Sequence, residues 1–316
     1  MFGKKSSIVL GFILLLIVLV ALVGCSITAS NPGESDTPSG AETAVPLRIG
    51  LLAPENSPFF VTLQEGAQEA ANRLNVNLIV RDAGNDIAKQ NEQIQEMIDM
   101  GVNAIVITAV DSTAVAEKIE AAAAAGIAIF TVDRSVDSNV VVSHIASDNT
   151  AGGKMAGDYL AETIGKQGSV VELEGIAGTS AAQDRGAGFN QAMATYPNIT
   201  IVAKEVANFN REEGQTVFAQ ILADQPTING VFAHNDEMIL GAIAAAEEAG
   251  RANDIIFVGF DAVDDAVAAL ETGSLTATIA QQPAEMGRLG VENAVKYLQG
   301  ETIPDNIAVD LALITR

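Results

Sequence analysis

From Leu47 to the C terminus, short apolar runs alternate with longer stretches in which apolar residues recur every three or four positions. The apolar run over 127–132 has the length of a strand and no polar interruption, which is typical of a strand buried on both faces. The stretch over 59–74 has the spacing of a helix with one buried face. This repeated order predicts parallel sheets covered by helices on both faces.

The same pattern gives approximate bounds for each element. The predicted strands cover 47–53, 77–81, 104–108, 127–132, 140–143, 169–173, 199–206, 231–233, 255–260, 275–281 and 308–313. The predicted helices cover 59–74, 86–100, 112–125, 149–164, 180–196, 211–222, 236–249, a short segment from 264, and 283–299. Roughly a dozen strands are too many for one sheet of this kind, so two α/β lobes are expected. No Pro/Gly-rich linker separates the lobes, which favours several short connections over a single tether.

The N terminus has the pattern of a secretory signal, because two lysines precede an apolar run over 8–23. The run ends in a Leu-Val-Gly-Cys sequence at Cys25, which resembles the cleavage site of bacterial lipoproteins. We therefore predict a signal peptide over 1–24, a lipidated Cys25 and a disordered tether over 25–46, which is rich in Ser, Thr, Pro and Gly. The alternative is an uncleaved anchor with an unused thiol. Both predictions place the rest of the chain outside the cytoplasmic membrane, attached to it at the N terminus.

Charge and composition exclude several classes of function. The formal net charge of −23 argues against binding to nucleic acid. A single cysteine excludes an intrachain disulfide, and with only two histidines no metal site is apparent from ligand spacing. His144 is expected to be structural or on the surface, and His234 to be structural or beside a cleft. We expect no cofactor.

Motifs for catalysis or phosphate binding are weak. The loop over 175–180 lies between a predicted strand and helix but has neither a Walker lysine nor a G-x-G-x-x-G pattern, so it is expected to be a closely packed turn. Neither histidine accompanies a nucleophile motif such as G-x-S-x-G. An enzyme acting through a carboxylate pair stays open as a minor alternative.

Polar side chains follow several of the predicted strands at the point where each strand ends. Asp133 and Arg134 follow the apolar run over 127–132, Asn235 follows a second strand, and Asp261 follows a third. Ligands of open parallel sheets bind outside the carboxyl ends of the strands. The sequence therefore predicts one polar site at this edge, although Asn235 and Asp261 could equally cap local structure.

Seven segments together resemble those of bacterial ribose-binding proteins, the substrate-binding components of sugar ABC importers. The segments are 58–60, 133–134, 142–148, 175–182, 235–238, 258–261 and 277–281. The resemblance covers the chain from Leu47 onward and implies a periplasmic binding protein fold of type I, with two Rossmann-like lobes joined by three crossovers. It implies one lobe over 47–147 plus 282–310 and a second over 148–281 plus 311–316, with the sugar bound between them.

The resemblance also implies a set of binding residues. Phe59, Phe60 and Phe209 match the aromatic walls of the family site. The residues that match the polar contacts of that site are Asp133, Arg134, Arg185, Asn235, Asp261 and Gln281. Aromatic rings cover the apolar faces of a sugar, while carboxylate, guanidinium and amide groups bond to its hydroxyls. This chain departs from the family by having Ser57 where an asparagine usually precedes Pro-Phe-Phe, so the contact at this place is expected from Ser57, from Asn56 or through water.

The expected function is that of an extracytoplasmic lipoprotein that captures D-ribose and delivers it to an ABC importer permease without any chemical change. The expected protein is a monomer, with a chemoreceptor as a further candidate partner. Another sugar, such as allose, psicose or a furanose signalling molecule, is the nearest alternative. A transcription regulator of the lactose-repressor family would share the fold, but it needs a basic helix-turn-helix where this chain has its apolar signal.

Overall fold

The computed structural model describes residues 46–316, which form one compact unit. The predicted signal peptide, the predicted lipidation site Cys25 and all but the last residue of the predicted tether lie outside the described residues. No helix within 46–316 combines the length and the apolar character that a bilayer-spanning segment needs.

The first half of the described chain contains six strands and five helices in the predicted alternation. They are β1 (Arg48–Ala53), α1 (Pro58–Leu74), β2 (Asn77–Asp82), α2 (Ile87–Met100), β3 (Ala104–Ile107), α3 (Ala116–Ala124), β4 (Ala128–Val132), β5 (Val141–Ala146), α4 (Asn149–Thr163), β6 (Gly168–Glu174) and α5 (Ser180–Met193).

The second half continues the same alternation to the C terminus. It contains β7 (Ile199–Val206), α6 (Arg211–Asp224), β8 (Gly230–Ala233), α7 (Asp236–Glu248), β9 (Ile256–Asp261), α8 (Asp264–Thr272), β10 (Ala277–Ala280), α9 (Pro283–Leu298), β11 (Asn306–Ala308) and β12 (Ala312–Thr315), with a short 3-10 turn at Ala252–Asp254.

These strands form two six-stranded sheets, as expected for two lobes. The first has the order β11-β5-β4-β3-β1-β2 and the second the order β12-β10-β9-β8-β6-β7. Neighbouring strands are parallel throughout, except that β12 runs antiparallel to β10. The chain passes between the sheets three times, from β5 to β6, from β10 to β11 and from β11 to β12. The predicted fold class is thereby confirmed, whereas the residues at which each lobe begins and ends stay a prediction.

Two predicted elements differ most from the structure. The single strand predicted over 308–313 is two short strands in different sheets, because the chain crosses between the lobes at 309–311 and bonds Val309 N–H to the Ala146 carbonyl at 3.0 Å on the way. The helix predicted over 112–125 begins only at Ala116. The Asp111 carboxylate accepts from the N–H groups of Thr113 (3.0 Å) and Ala114 (2.8 Å), and this turn takes the place of the first helical turn.

Each sheet is buried between helices on both faces. The central strands β3, β4 and β8 are buried along their whole length, which explains their uninterrupted apolar sequences. Two apolar clusters fill each lobe, one on either face of its sheet. The sheets thus fix the carboxyl ends of their strands rigidly, and the predicted site residues follow those ends.

Candidate sugar-binding site between the lobes

The end of β4 places Asp133 and Arg134 in the space between the two sheets. Asp133 has a positive φ of 60°, and its N–H donates to the Ile145 carbonyl at 3.0 Å, so the chain turns sharply where the strand ends. Within the adjacent strands β4 and β5, the Thr131 hydroxyl bonds to Nδ1 of His144 at 2.8 Å, which is a structural contact for that histidine. Asp133 and Arg134 are both buried.

Arg134 lies between two aromatic rings from opposite lobes. Its guanidinium carbon is 5.2 Å from the ring centre of Phe60 on α1 and 5.0 Å from that of Phe209 in the β7–α6 loop. Phe59 and Phe60 meet edge to face, with ring centres 5.1 Å apart. Burial lowers the pKa of Arg134, while the carboxylates of Asp133 and Glu55 raise it. The cation is buried beside carboxylates, with its Nε 3.7 Å from Oδ2 of Asp133, and hydrogen bonds to it are strengthened in such a buried setting.

Phe209 depends on a glycine beneath it. Asn208 and Phe209 both have positive φ values, of 50° and 58°, which turn the ring into the space between the lobes. A Cβ on Gly175 would lie only 2.1 Å from that ring, so the glycine provides the room for it. The side-chain amide of Asn235 donates to the Phe209 carbonyl at 3.2 Å and holds the loop in place.

Arg185 on α5 is the second buried guanidinium of the site. It donates to Oδ1 of Asn149 at 2.8 Å and to the His234 carbonyl at 2.6 Å, and it stacks 3.9 Å from the ring centre of Phe260. Its Nη atoms also lie 3.5 Å from Oδ1 of Asp261 and 3.9 Å from Oδ1 of Asp133. Arg185 therefore links carboxylates that belong to different sheets.

Asp261 and Gln281 form the opposite polar wall. The Gln281 side-chain N–H donates to Oδ1 of Asp261 at 2.8 Å. Asp261 has a φ of 119°, another sharp turn directly at a strand end. Burial raises the pKa of Asp261 to about 7, against the opposing effects of Arg185 and Gln281.

Asn235 has more than one structural role. Its Oδ1 accepts from the Met238 N–H at 3.0 Å and caps α7, while its amide holds the Phe209 loop. The capping interpretation of this residue is therefore confirmed. Asn235 also lines the cavity. A further hydrogen bond from its side-chain amide to a ligand stays a prediction.

The β1–α1 loop contributes two residues to the cavity wall, Ser57 and Glu55, of which only Ser57 was predicted from the sequence. Ser57 lines the cavity, and its side chain makes no capping bond to α1. Asn56 is exposed and does not line the cavity, so it does not take the place of the missing asparagine. Glu55 lines the cavity instead. Glu55 lies two residues after the buried strand β1, much as Asp133 follows β4, and this position is the feature of the sequence that could have predicted it.

One cavity between the lobes brings all ten predicted side chains together. Among residues 46–316, Glu55 and Ala181 are the only others that contribute to its wall. Whether each lining residue binds the ligand stays a prediction.

Direct hydrogen bonds close the cleft beside this cavity. The Ser112 N–H donates to the Gly178 carbonyl at 3.0 Å, and the Ser135 N–H donates to the Ser180 hydroxyl at 2.9 Å. Ser112 and Ser135 follow strands of the first sheet, whereas Gly178 and Ser180 follow β6 of the second sheet. The lobes therefore touch each other across the cleft as well as through the crossovers.

His234 lies behind the cavity wall rather than in it. Its Nε2 is 3.0 Å from Oε1 of the buried Glu172, and its Nδ1 accepts from the Gly175 N–H at 3.3 Å, which assigns the proton to Nε2. Burial lowers the pKa of His234, so the ring is held neutral. Glu172, Glu174 and His234 are close enough to hold a metal, but Lys204 Nζ lies 3.5 Å and 3.0 Å from the two carboxylates and offsets part of their charge.

Comparison with known proteins identifies the family. Residues 49–302 match the model of the periplasmic binding protein domain family. The chain is 42% identical over 302 residues to the ribose import binding protein of Escherichia coli K12, covering 95% of this chain and 98% of that protein. It is 38% identical to the ribose import binding protein of Bacillus subtilis 168, covering 96% and 98%.

A solved structure supports the same assignment. A periplasmic solute-binding protein of an ABC transporter from Actinobacillus succinogenes 130z, with bound D-allose, superimposes with a TM-score of 0.80 at 33% identity, covering 85% of this chain and 97% of that one. The resemblance predicted from the seven sequence segments is thus confirmed over nearly the whole chain. The chain belongs to the periplasmic binding protein family, and within it to the relatives of the ribose import binding proteins.

Proposed function

We propose that this protein captures D-ribose between its two lobes and delivers it, chemically unchanged, to the permease of an ABC importer. We further propose that it does so outside the cytoplasmic membrane, anchored by a lipid on Cys25. The kinship with ribose import binding proteins supports the sugar and the transport role. The Leu-Val-Gly-Cys sequence at Cys25 supports the lipid anchor.

The observation that carries the proposal is a set of buried polar atoms on the cavity wall that lack partners. Oδ1 of Asp133, Oε1 of Gln281, and Nε and Nη1 of Arg134 have no hydrogen-bond partner among residues 46–316. Two of these atoms are acceptors and two are donors. A buried polar atom without a partner costs about 1–3 kcal/mol, and more when it is charged. A small ligand with several hydroxyls, each both donor and acceptor, would satisfy all four.

The aromatic rings account for the rest of the ligand. Phe60 and Phe209 approach the site from different lobes, so a sugar ring between them would contact both lobes at once. Ligand contacts to both lobes stabilise the closed arrangement of a hinged protein. A closed, liganded form is then the state that a permease can distinguish from the open, empty one.

Calorimetric titration of residues 46–316 tests the sugar. We would titrate ribose first, and then arabinose, xylose, allose, psicose and glucose. A one-to-one ribose isotherm tighter than about 10 µM, near −7 kcal/mol, is expected. No heat with any of the six sugars would contradict the pentose assignment. Recovery of unchanged sugar by chromatography separates binding from turnover, and a chemically altered product would contradict the transport role.

Allose is a second candidate ligand because of two observations. Ser57 has a shorter side chain than the asparagine usual in the family and makes no capping bond, which leaves room beside the sugar. A relative with 33% identity was solved with D-allose bound. An allose isotherm at least tenfold tighter than that of ribose would favour this candidate.

The lipid anchor has its own test. In the full-length protein, Cys25→Ser is expected to abolish incorporation of a labelled fatty acid and to release the protein from the membrane fraction. A wild-type chain that incorporates no label would contradict the proposed lipidation without affecting the sugar assignment.

A further inference from the structure

Glu55 is an acidic group on the cavity wall that lies outside the set implied by the family resemblance. It occupies the β1–α1 loop, two residues after β1 ends at Ala53, and it is half-buried. It lines the same cavity as Ser57 and Arg134. The loop therefore presents a carboxylate at the wall where Ser57 replaces the usual asparagine.

A neighbouring loop holds this carboxylate in position. The side-chain amide of Asn85 donates to Oε2 of Glu55 at 2.6 Å. Asn85 is itself fixed, because it has a φ of 58° and its N–H donates to the Pro54 carbonyl at 2.6 Å. The next contact, from the Ala83 N–H to the Ala53 carbonyl at 3.1 Å, ties the same loop to the end of β1. Glu55 is thus anchored by one oxygen, and no residue within 46–316 bonds to the other.

The charges around Glu55 come from both lobes. Burial raises the pKa of Glu55, and the nearby guanidinium of Arg134 lowers it. Asp82 from the end of β2 and Glu237 from α7 raise it further. Glu55 and Arg134 therefore attract each other in the cavity that both line, and a hydrogen-bond donor at the second oxygen of Glu55 would offset the repulsion from the surrounding acids.

We propose that Glu55 is a specificity-determining residue of the sugar site. Its second carboxylate oxygen accepts a hydrogen bond from one hydroxyl of the bound sugar, at a place that the Ser57 side chain is too short to reach. A carboxylate only accepts hydrogen bonds, so this wall selects a ligand with a hydroxyl at that position. A sugar without that hydroxyl would leave a partly buried acceptor unpaired, which is how polar sites discriminate. The inference rests on the proposed function.

The test compares wild type with Glu55→Ala by calorimetry. The ligands are ribose and a set of analogues that each lack one of its hydroxyls. Glu55→Ala is expected to weaken ribose binding by about tenfold. One analogue, the one without the contacted hydroxyl, is expected to bind Glu55→Ala at least as tightly as wild type, because the variant has no acceptor to leave unpaired. A purely structural role would lower the affinity for every analogue by the same factor.

Three further variants sharpen the comparison. Glu55→Gln keeps an acceptor oxygen and is expected to recover part of the loss. Asn85→Ala releases the anchored oxygen and is expected to give a smaller loss with the same dependence on the analogue. Glu65→Ala, on the exposed face of α1, removes the same charge away from the cavity and is expected to change nothing.

The outcomes for the two proposals are distinct. Absence of ribose binding by wild type would contradict the proposed function. Wild type that binds ribose, together with Glu55→Ala that binds it equally well, would overturn the role of Glu55. An equal loss for ribose and for every analogue would also overturn it.

Discussion

At the scale of single residues, the site is built on backbone turns directly at strand ends. Asp133 and Asp261 each have a positive φ, and Phe209 shares this feature in the β7–α6 loop. Such conformations are costly for residues other than glycine and persist where the surrounding structure enforces them. Here the buried sheets provide that enforcement, so each side chain is aimed into the cavity before any ligand arrives.

Arg134→Lys should weaken ribose binding by at least about tenfold. Lysine keeps the charge but loses the planar group that stacks between Phe60 and Phe209 and the Nε and Nη1 donors. Calorimetry measures the effect. Arg73→Lys, at the exposed end of α1, is the matched control and should bind like wild type. Equal affinities for Arg134→Lys and the control would contradict the role of the guanidinium.

The sugar-free protein should become less stable as the pH rises, because Asp261 then loses a proton in the folded state. Its pKa is about 7 in the folded state and near 3.8 ordinarily, so the folded state binds the extra proton between these values. The free energy of unfolding then falls from about pH 4 to about pH 7 and stays lower above it. Asp261→Asn should show a smaller fall.

Urea unfolding between about pH 5 and pH 8 measures this slope. Asp236 should retain part of it in the variant, because burial also raises the pKa of Asp236. Asp264→Asn, at an exposed position on α8, is the control and should keep the wild-type slope. Identical slopes in wild type and Asp261→Asn would show that Asp261 does not titrate in this range.

At the scale of elements, helix pairs position the site through close backbone contacts. α4 and α5 pack so tightly that a Cβ on Gly153 would lie 2.0 Å from the Arg185 carbonyl oxygen. A Cβ on Gly188 would lie equally close to the Thr150 carbonyl oxygen. The position of Arg185 in the cavity thus depends on residues of α4 that do not line the cavity.

Gly153→Ala should destabilise the protein by about 1–3 kcal/mol, because the added methyl group would meet backbone atoms that cannot move aside cheaply. It should also weaken ribose binding, since α5 can relieve the clash only by shifting Arg185. Urea unfolding and calorimetry measure the two effects. Ala151→Ser adds one atom at an exposed position of α4 and should alter neither. Unchanged stability of Gly153→Ala would contradict the packing argument.

The sequence predicted which helices and strands are present more completely than the residues at which they begin and end. Long amphipathic stretches such as α1 and α9 were predicted within a residue or two, because their apolar spacing is set by the helix itself. The single strand predicted over 308–313 was wrong. Its apolar residues serve two different sheets, and no local pattern shows where a chain leaves one sheet for the other.

At the scale of the whole molecule, the two lobes meet along a surface that includes direct hydrogen bonds. Gly178 lies on this surface, and a Cβ there would be 1.8 Å from Oδ2 of Asp111 in the opposite lobe. The Asp111 carboxylate is already held by the N–H groups of Thr113 and Ala114. The fit of the closed lobes therefore depends on a residue without a side chain.

Gly178→Ala should weaken ribose binding several-fold, on the order of two- to tenfold, because it penalises the closed arrangement that binding requires. Small-angle scattering with saturating ribose should still show compaction. Unfolding without ribose should be unaffected, since the lobes themselves are unchanged. Ala177→Ser, at an exposed neighbouring position, is the control. Wild-type affinity in Gly178→Ala would show that this contact does not contribute to closure.

The sequence by itself determined the fold class, because strand and helix periodicity depend on local geometry and on which faces are buried. It also indicated the polar residues at strand ends, since parallel strands finish at a common edge. Only the tertiary structure decided which of these side chains share one cavity and that Glu55 joins them while Asn56 does not. The contact of Gly178 with Asp111 was likewise decided there. Each depends on how two separate sheets face each other, which no local pattern of residues encodes.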